Sequence, residues 1–215
     1  MSFTSPEVER IIAEFADRIA EDNRRFAEWP GSELVARRDE FVLPVGPETG
    51  GFLHSLILAK RPARVLELGT SYGYSTLFLA DALKRTGGKL VSVDMFDYKQ
   101  AHAAALIERA GLSDQVEFRL GDALELVQAD PGPWDLVLLD IWKDLYVPCL
   151  HALHPRLADE GIIAADNMIE PPVVRENARE YRAAVAAYPD LRSALLPIGS
   201  GIELSVKWET ENPKL

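Results

Sequence analysis

The side chains in this sequence that could do chemistry are mostly acids standing where apolar runs stop. Glu67 lies in Arg-Val-Leu-Glu-Leu, Asp94 ends Lys-Leu-Val-Ser-Val-Asp, Asp140 ends Trp-Asp-Leu-Val-Leu-Leu-Asp, and Asp166-Asn167 close Gly-Ile-Ile-Ala-Ala-Asp-Asn. In an open parallel sheet ligands sit beyond the carboxyl ends of the strands, so these residues should share one crevice. Asp140, Asp166 and Asn167 offer only oxygen donors, from two strands. A hard divalent ion such as magnesium takes that donor set and keeps positions for water and substrate oxygens. The same residues could instead cap the turns and helices that follow them. Asp94 stands at about the distance beyond a glycine turn where a carboxylate accepts both hydroxyls of a ribose. Lys143, three positions past Asp140, should face the same mouth. A lysine near a divalent cation can be brought into the range for proton removal, although Lys-Asp-Leu-Tyr would also suit a plain surface lysine. Trp142, between the two, is placed to touch a substrate.

The glycines sharpen the choice of ligand. Residues 64–80 read as strand, tight turn and helix, with Gly69 and Gly73 at the turn. Glycine lets a ligand approach the main chain, and the free amides of the following helix attract a carboxylate or phosphate. A dinucleotide fingerprint would need a third glycine. Glu67, two positions before the first, would repel a pyrophosphate and suit a ligand with an ammonium group.

These positions require a scaffold of alternating strands and helices. Ser5-Pro6-Glu7 announces an amphipathic helix that ends before Trp29-Pro30-Gly31 and carries Val8, Ile11, Ile12, Phe15 and Ile19 on one face. That stripe must cover the domain's own flank or a second copy of the chain, and a mixed role is expected. A short helix over 32–39, a breaker-rich loop over 43–51 and a helix over 52–59 come next. Strands at 89–94, 116–120, 134–140 and 161–167 then alternate with helices over 98–110 and 124–128. Residues 194–198 and 202–208, joined by Gly-Ser-Gly, read as a hairpin. The expectation is a single doubly wound, Rossmann-like α/β domain over 46–215, with a mostly parallel sheet, an antiparallel finish and an N-terminal helical arm over 1–45.

Composition excludes several classes. The chain has 215 residues, 34 acidic against 23 basic and a net charge of −11, which opposes a phosphate backbone or an anionic membrane face. A lone Cys149 and the lack of zinc spacing point to a reduced, cytoplasmic protein. No signal peptide opens it, and no apolar run is long enough to span a bilayer. His151 and His154 read as ordinary helix histidines, while His54 and His102 stand alone.

Glu67-Leu-Gly-Thr-Ser-Tyr-Gly-Tyr-Ser75, Asp140-Ile-Trp-Lys-Asp-Leu-Tyr146, residues 161–167 and Leu196-Pro-Ile-Gly-Ser-Gly201 together resemble the metal-dependent O-methyltransferases that use S-adenosylmethionine, the catechol and caffeoyl-CoA type. The resemblance spans nearly the whole chain. It implies a seven-stranded sheet and methyl transfer to a phenolic hydroxyl of a small molecule, usually one of a vicinal pair, while the expectation of a homodimer comes from the apolar stripe of the first helix. It makes Asp140, Asp166 and Asn167 metal ligands and Lys143 the proton acceptor beside Asp140, with Trp142 and Asn167 near the substrate. The cofactor would meet Val45, Glu67, Gly69, Thr70, Ser71 and Ser75 at its methionine end, Asp94 and Met95 at its ribose, and Asp122 and Ala123 at its adenine, with Asp140 nearby. Ile141 replaces the histidine of the catechol type, and no basic cluster awaits a coenzyme A thioester. A metal-independent methyltransferase or a non-catalytic adenosyl-binding protein would share most of this pattern.

Overall fold

A computed structural model of the chain describes residues 3–30, 33 and 37–208. Seven strands form one sheet in the order β3-β2-β1-β4-β5-β7-β6. The parallel strands are β1 (Arg64–Leu68), β2 (Lys89–Asp94), β3 (Val116–Leu120), β4 (Trp134–Leu139) and β5 (Leu157–Ala165); β6 (Leu191–Leu196) and β7 (Ile202–Lys207) form the antiparallel finish. Their near-continuous burial reflects the helices covering both faces: β1, β2 and β4 each carry a run of buried residues. Helices α1 (Pro6–Glu28), α2 (Pro47–Lys60), α3 (Tyr74–Thr86), α4 (Asp97–Arg109), α5 (Ala123–Ala129), α6 (Tyr146–Leu153) and α7 (Arg175–Ala186) surround it.

The sheet places the acids by register. Leu68 pairs with Val93 on one side and Leu139 on the other, and Leu139 pairs with Ala165. Gly69, Asp94, Asp140 and Asp166 therefore follow one step later, in a row across four neighbouring strands. The row lies where the strand order turns back on itself, between β1 and β4, the position at which open α/β sheets bind ligands.

Three local expectations change. The helix expected over 52–59 begins at Pro47, because Gly46 and Pro47 serve as cap and first helical residue rather than as breakers. Gly50 is tolerated there since a Cβ would lie 2.9 Å from the Phe78 ring, so α2 and α3 pack too closely for a side chain. Helix α7, buried through Ala178, Tyr181 and Val185, fills a stretch where no helix was expected. The apolar stripe of α1 turns inward: Val8, Ile11 and Phe15 are buried against Tyr74, Leu77, Phe78 and Ile107, so it covers the domain's own flank. Thr4 extends this seam by donating to Asp81, which also meets His54, so His54 is a buried, paired residue rather than a solitary one. The helix expected over 32–39 falls largely outside the described residues.

Candidate active site

A cavity of about 430 Å³ opens at the switch point. One wall is the loop after β1. Gly69 sits at φ +106°, and a Cβ there would lie 2.0 Å from the Asp140 carbonyl oxygen, so only glycine lets the β1 and β4 ends approach. Ser71, at φ +46°, turns its amide onto Asp94 Oδ2 at 2.7 Å, while the Phe96 amide donates to Asp94 Oδ1 at 2.9 Å. The Asp94 carboxylate is thereby aimed at the cavity, with lone pairs left for hydroxyl donors. Thr70, Ser75, Met95 and Ala123 line the same space, as do Val45 and Asp122. Asp122 doubles as the cap of α5, accepting from the Glu125 amide at 3.0 Å.

Glu67 is placed otherwise. Its side chain is fully buried and absent from the cavity wall. Oε1 accepts from Ser75 at 2.6 Å, and Oε2 accepts from Thr76 at 2.6 Å and Ser92 at 2.5 Å. Burial pushes its carboxyl up to about 7, with the three hydroxyls pulling the other way and Asp140 adding slightly to the rise. The direct ammonium contact expected of this carboxylate gives way to a brace that ties β1, β2 and the start of α3 together. Sequence spacing could place Glu67 at a strand end but not on a face. With Ser75 Oγ engaged by Glu67, the Ser75 backbone amide at the start of α3 is the group left to meet an anion.

At the opposite end Asp140, Asp166 and Asn167 line the cavity together with Lys143 and Trp142. Asp166 is 1% exposed and its Oδ1 has no hydrogen-bond partner. Burial, then the charge of Asp140, pushes the Asp166 carboxyl well above the ordinary range, against the pull of the Asn167 amide and Lys143. Asn167 adopts φ +60° and donates from Nδ2 to the Glu170 carbonyl at 3.2 Å, which leaves its amide oxygen for another partner. An orphaned buried oxygen, a second carboxylate and an amide oxygen fit a hard divalent cation in both chemistry and charge.

Lys143 Nζ donates to Asp140 Oδ1 at 3.0 Å and to Tyr146 Oη at 2.6 Å. Tyr146, 1% exposed, donates in turn toward the carbonyls of Leu139 and Asp166, at 2.9 and 3.2 Å, and burial raises its phenol further. Tyr146 thus ties the lysine to both strand ends, a role the sequence reading missed although Lys143 and Tyr146 stand at helical spacing. Lys99, Phe96 and Val173 also line the cavity without having been foreseen. Of the histidines, His154 bonds Asp190 and His151 bonds Tyr188, both away from this cavity.

Known methyltransferases resemble this chain in sequence and fold. A family model described as a methyltransferase domain matches residues 66–168. The chain is 38% identical over 149 residues to a catechol O-methyltransferase of Niastella koreensis, an alignment spanning 65% of each chain. It is 30% identical over 197 residues to caffeoyl-CoA O-methyltransferase 2 of Petunia hybrida, covering 80% of this chain and 79% of that one. Among solved structures, the O-methyltransferase from Bacillus cereus in complex with SAH superposes with a TM-score of 0.71 at 25% identity, covering 89% of this chain and 99% of the other. Among the described residues no helix is long and apolar enough to cross a membrane. On these identities and coverages, and on the shared sheet, the chain belongs to the family of S-adenosylmethionine-dependent O-methyltransferases that includes the catechol and caffeoyl-CoA enzymes.

Proposed function

We propose that this protein moves a methyl group to a phenolic hydroxyl of a small aromatic molecule, one of a vicinal pair, with a divalent cation held by Asp140, Asp166 and Asn167. The observation that carries the reading is the row of strand-end acids in which Asp166 keeps a buried oxygen without a donor, beside Lys143 and in the same cavity as Asp94. S-adenosylmethionine, when bound, supplies an electrophilic methyl group on a sulfonium centre. Magnesium, when bound, supplies charge that makes a phenol easier to deprotonate.

The chain's own residues do the rest. Lys143 Nζ, as the neutral amine, takes the phenolic proton on its lone pair, which the two N–H hydrogen bonds to Asp140 Oδ1 and Tyr146 Oη turn toward the cavity. Asp94 holds the donor's ribose and the Gly69–Ser71 loop its methionine end, and their fixed separation from Lys143 supplies the alignment that a displacement requires. Trp142, Leu43 and Val173 rim the mouth with exposed apolar surface, which suits a flat, uncharged ring better than a polyanionic thioester.

Incubation with methyl-labelled S-adenosylmethionine, magnesium and a panel of vicinal diphenols tests the reading. Label should reach the diphenols, and a chelator should remove at least nine-tenths of that transfer, with magnesium restoring it. Transfer unchanged by the chelator would replace the cation with Lys143 alone at this end. No transfer to any diphenol would overturn the acceptor class.

A further inference from the structure

One charged group in the cavity has no part in the reaction proposed above. Lys99, on α4, is 6% exposed and lines the cavity wall, yet among the described residues its Nζ makes neither a hydrogen bond nor an ion pair. The ammonium lies between two rings, 5.0 Å from the Phe96 centroid and 5.4 Å from that of Tyr72. Burial lowers its pKa below the usual lysine range, while the charges of Asp94 and Asp39 oppose that shift. An ammonium at a cavity wall with no protein acceptor keeps donors for a ligand, and the aromatic faces replace only part of its hydration. Its companion in the cavity is Asp94, whose two oxygens are already oriented by the Phe96 and Ser71 amides. This end of the cavity therefore presents an acceptor-only carboxylate and a donor-only ammonium. A ribose diol answers both, because each hydroxyl can donate to a carboxylate and accept from an ammonium.

We propose that Lys99 is a further binding residue for the adenosyl ligand, donating from Nζ to a ribose hydroxyl oxygen whose hydrogen is taken by Asp94. The proposal rests on the adenosyl-ligand reading above and adds to it a residue that sets affinity for the diol. The unliganded protein carries Lys99 at a cost in stability, and the ligand removes that cost.

Calorimetric titration of the wild type, Lys99→Met and Lys99→Gln with S-adenosylhomocysteine and with its 2′-deoxy and 3′-deoxy forms tests this. Lys99→Met should bind the parent ligand about tenfold more weakly, the size of one charge-assisted hydrogen bond. For one of the two deoxy forms, the penalty seen in the wild type should shrink by about the same factor in Lys99→Met. Without ligand, Lys99→Met should melt at or above the wild-type temperature, since it buries no ammonium. Equal affinity of wild type and Lys99→Met for the parent, or a deoxy penalty that is the same in both, overturns the proposal. Should Lys99→Met fail to fold, Lys99→Gln takes its place, and a wild type that binds both deoxy forms as tightly as the parent is equally fatal. A wild type that binds no S-adenosylhomocysteine at all removes the adenosyl reading, and this inference falls with it.

Discussion

The two ends of the cavity treat their carboxylates differently. At the end formed by β1 and β2, Glu67, behind the cavity wall, receives three hydroxyl donors and Asp94 two backbone amides, so every oxygen of both has a donor from the chain itself. At the other end, Asp166 keeps an oxygen with none, and among the described residues the Asp140 side chain meets only Lys143. A buried carboxylate saturated by its own chain, as Glu67 is, fixes the shape of a loop, whereas Asp94 is oriented by its two amides and keeps lone pairs toward the cavity. One left short of donors in a dry pocket is stable only with a counter-charge, so it marks where a ligand is needed. The contrast separates acids that build the site from acids that work in it, a distinction that strand-end position alone does not make.

Variants at each end put the contrast to the test, and the largest effect belongs to the working end. Lys143→Ala should lower kcat by about 10²–10⁴ with little change in melting temperature or in affinity for S-adenosylhomocysteine, as expected for loss of a proton acceptor. A kcat within severalfold of the wild type would return Lys143 to the ranks of solvated lysines.

The building end should instead respond to pH through stability. The Glu67 carboxyl is raised in the folded protein from 4.5 to about 7, so the folded state binds its proton more tightly than the unfolded chain does. Its contribution is present below the unfolded pKa and is lost as pH rises through the folded one, a span of about 3 kcal/mol. Denaturant titrations across that span should show the wild type losing stability relative to Glu67→Gln, whose neutral amide has nothing to titrate. Parallel curves for the two proteins would mean that the three hydroxyls hold Glu67 charged and that burial is not the winning effect.

Tyr146→Phe should give the smallest effect, because it removes only an orienting group. We expect kcat to fall about tenfold with KM for the acceptor unchanged, since Lys143 keeps Asp140 but loses its second anchor. A change in KM with kcat preserved would show that Tyr146 shapes the pocket rather than the lysine.

Much of the fold was legible because it is written locally. Short apolar runs bounded by glycines and acids give strands, and Ser5-Pro6-Glu7 gives a helix start, without reference to distant residues. The row formed by Gly69, Asp94, Asp140 and Asp166 follows from the same logic, since parallel strands of known ends must align those ends. The start of α2 was misjudged for an equally physical reason: Gly46 and Pro47 break a helix in its middle but begin one at its edge, and Gly50 is excused by Phe78 across the interface.

What the chain determined by itself is thus which oxygens stand at strand ends and that glycine must separate them. Only the tertiary structure decided that Glu67 turns inward to hydroxyls from β2 and α3, that Tyr146 braces Lys143, and that Lys99 lies against two rings at the cavity wall without an acceptor among the described residues. Hydrogen-bond saturation and desolvation depend on neighbours brought from elsewhere in the chain, and a periodic pattern carries no record of them.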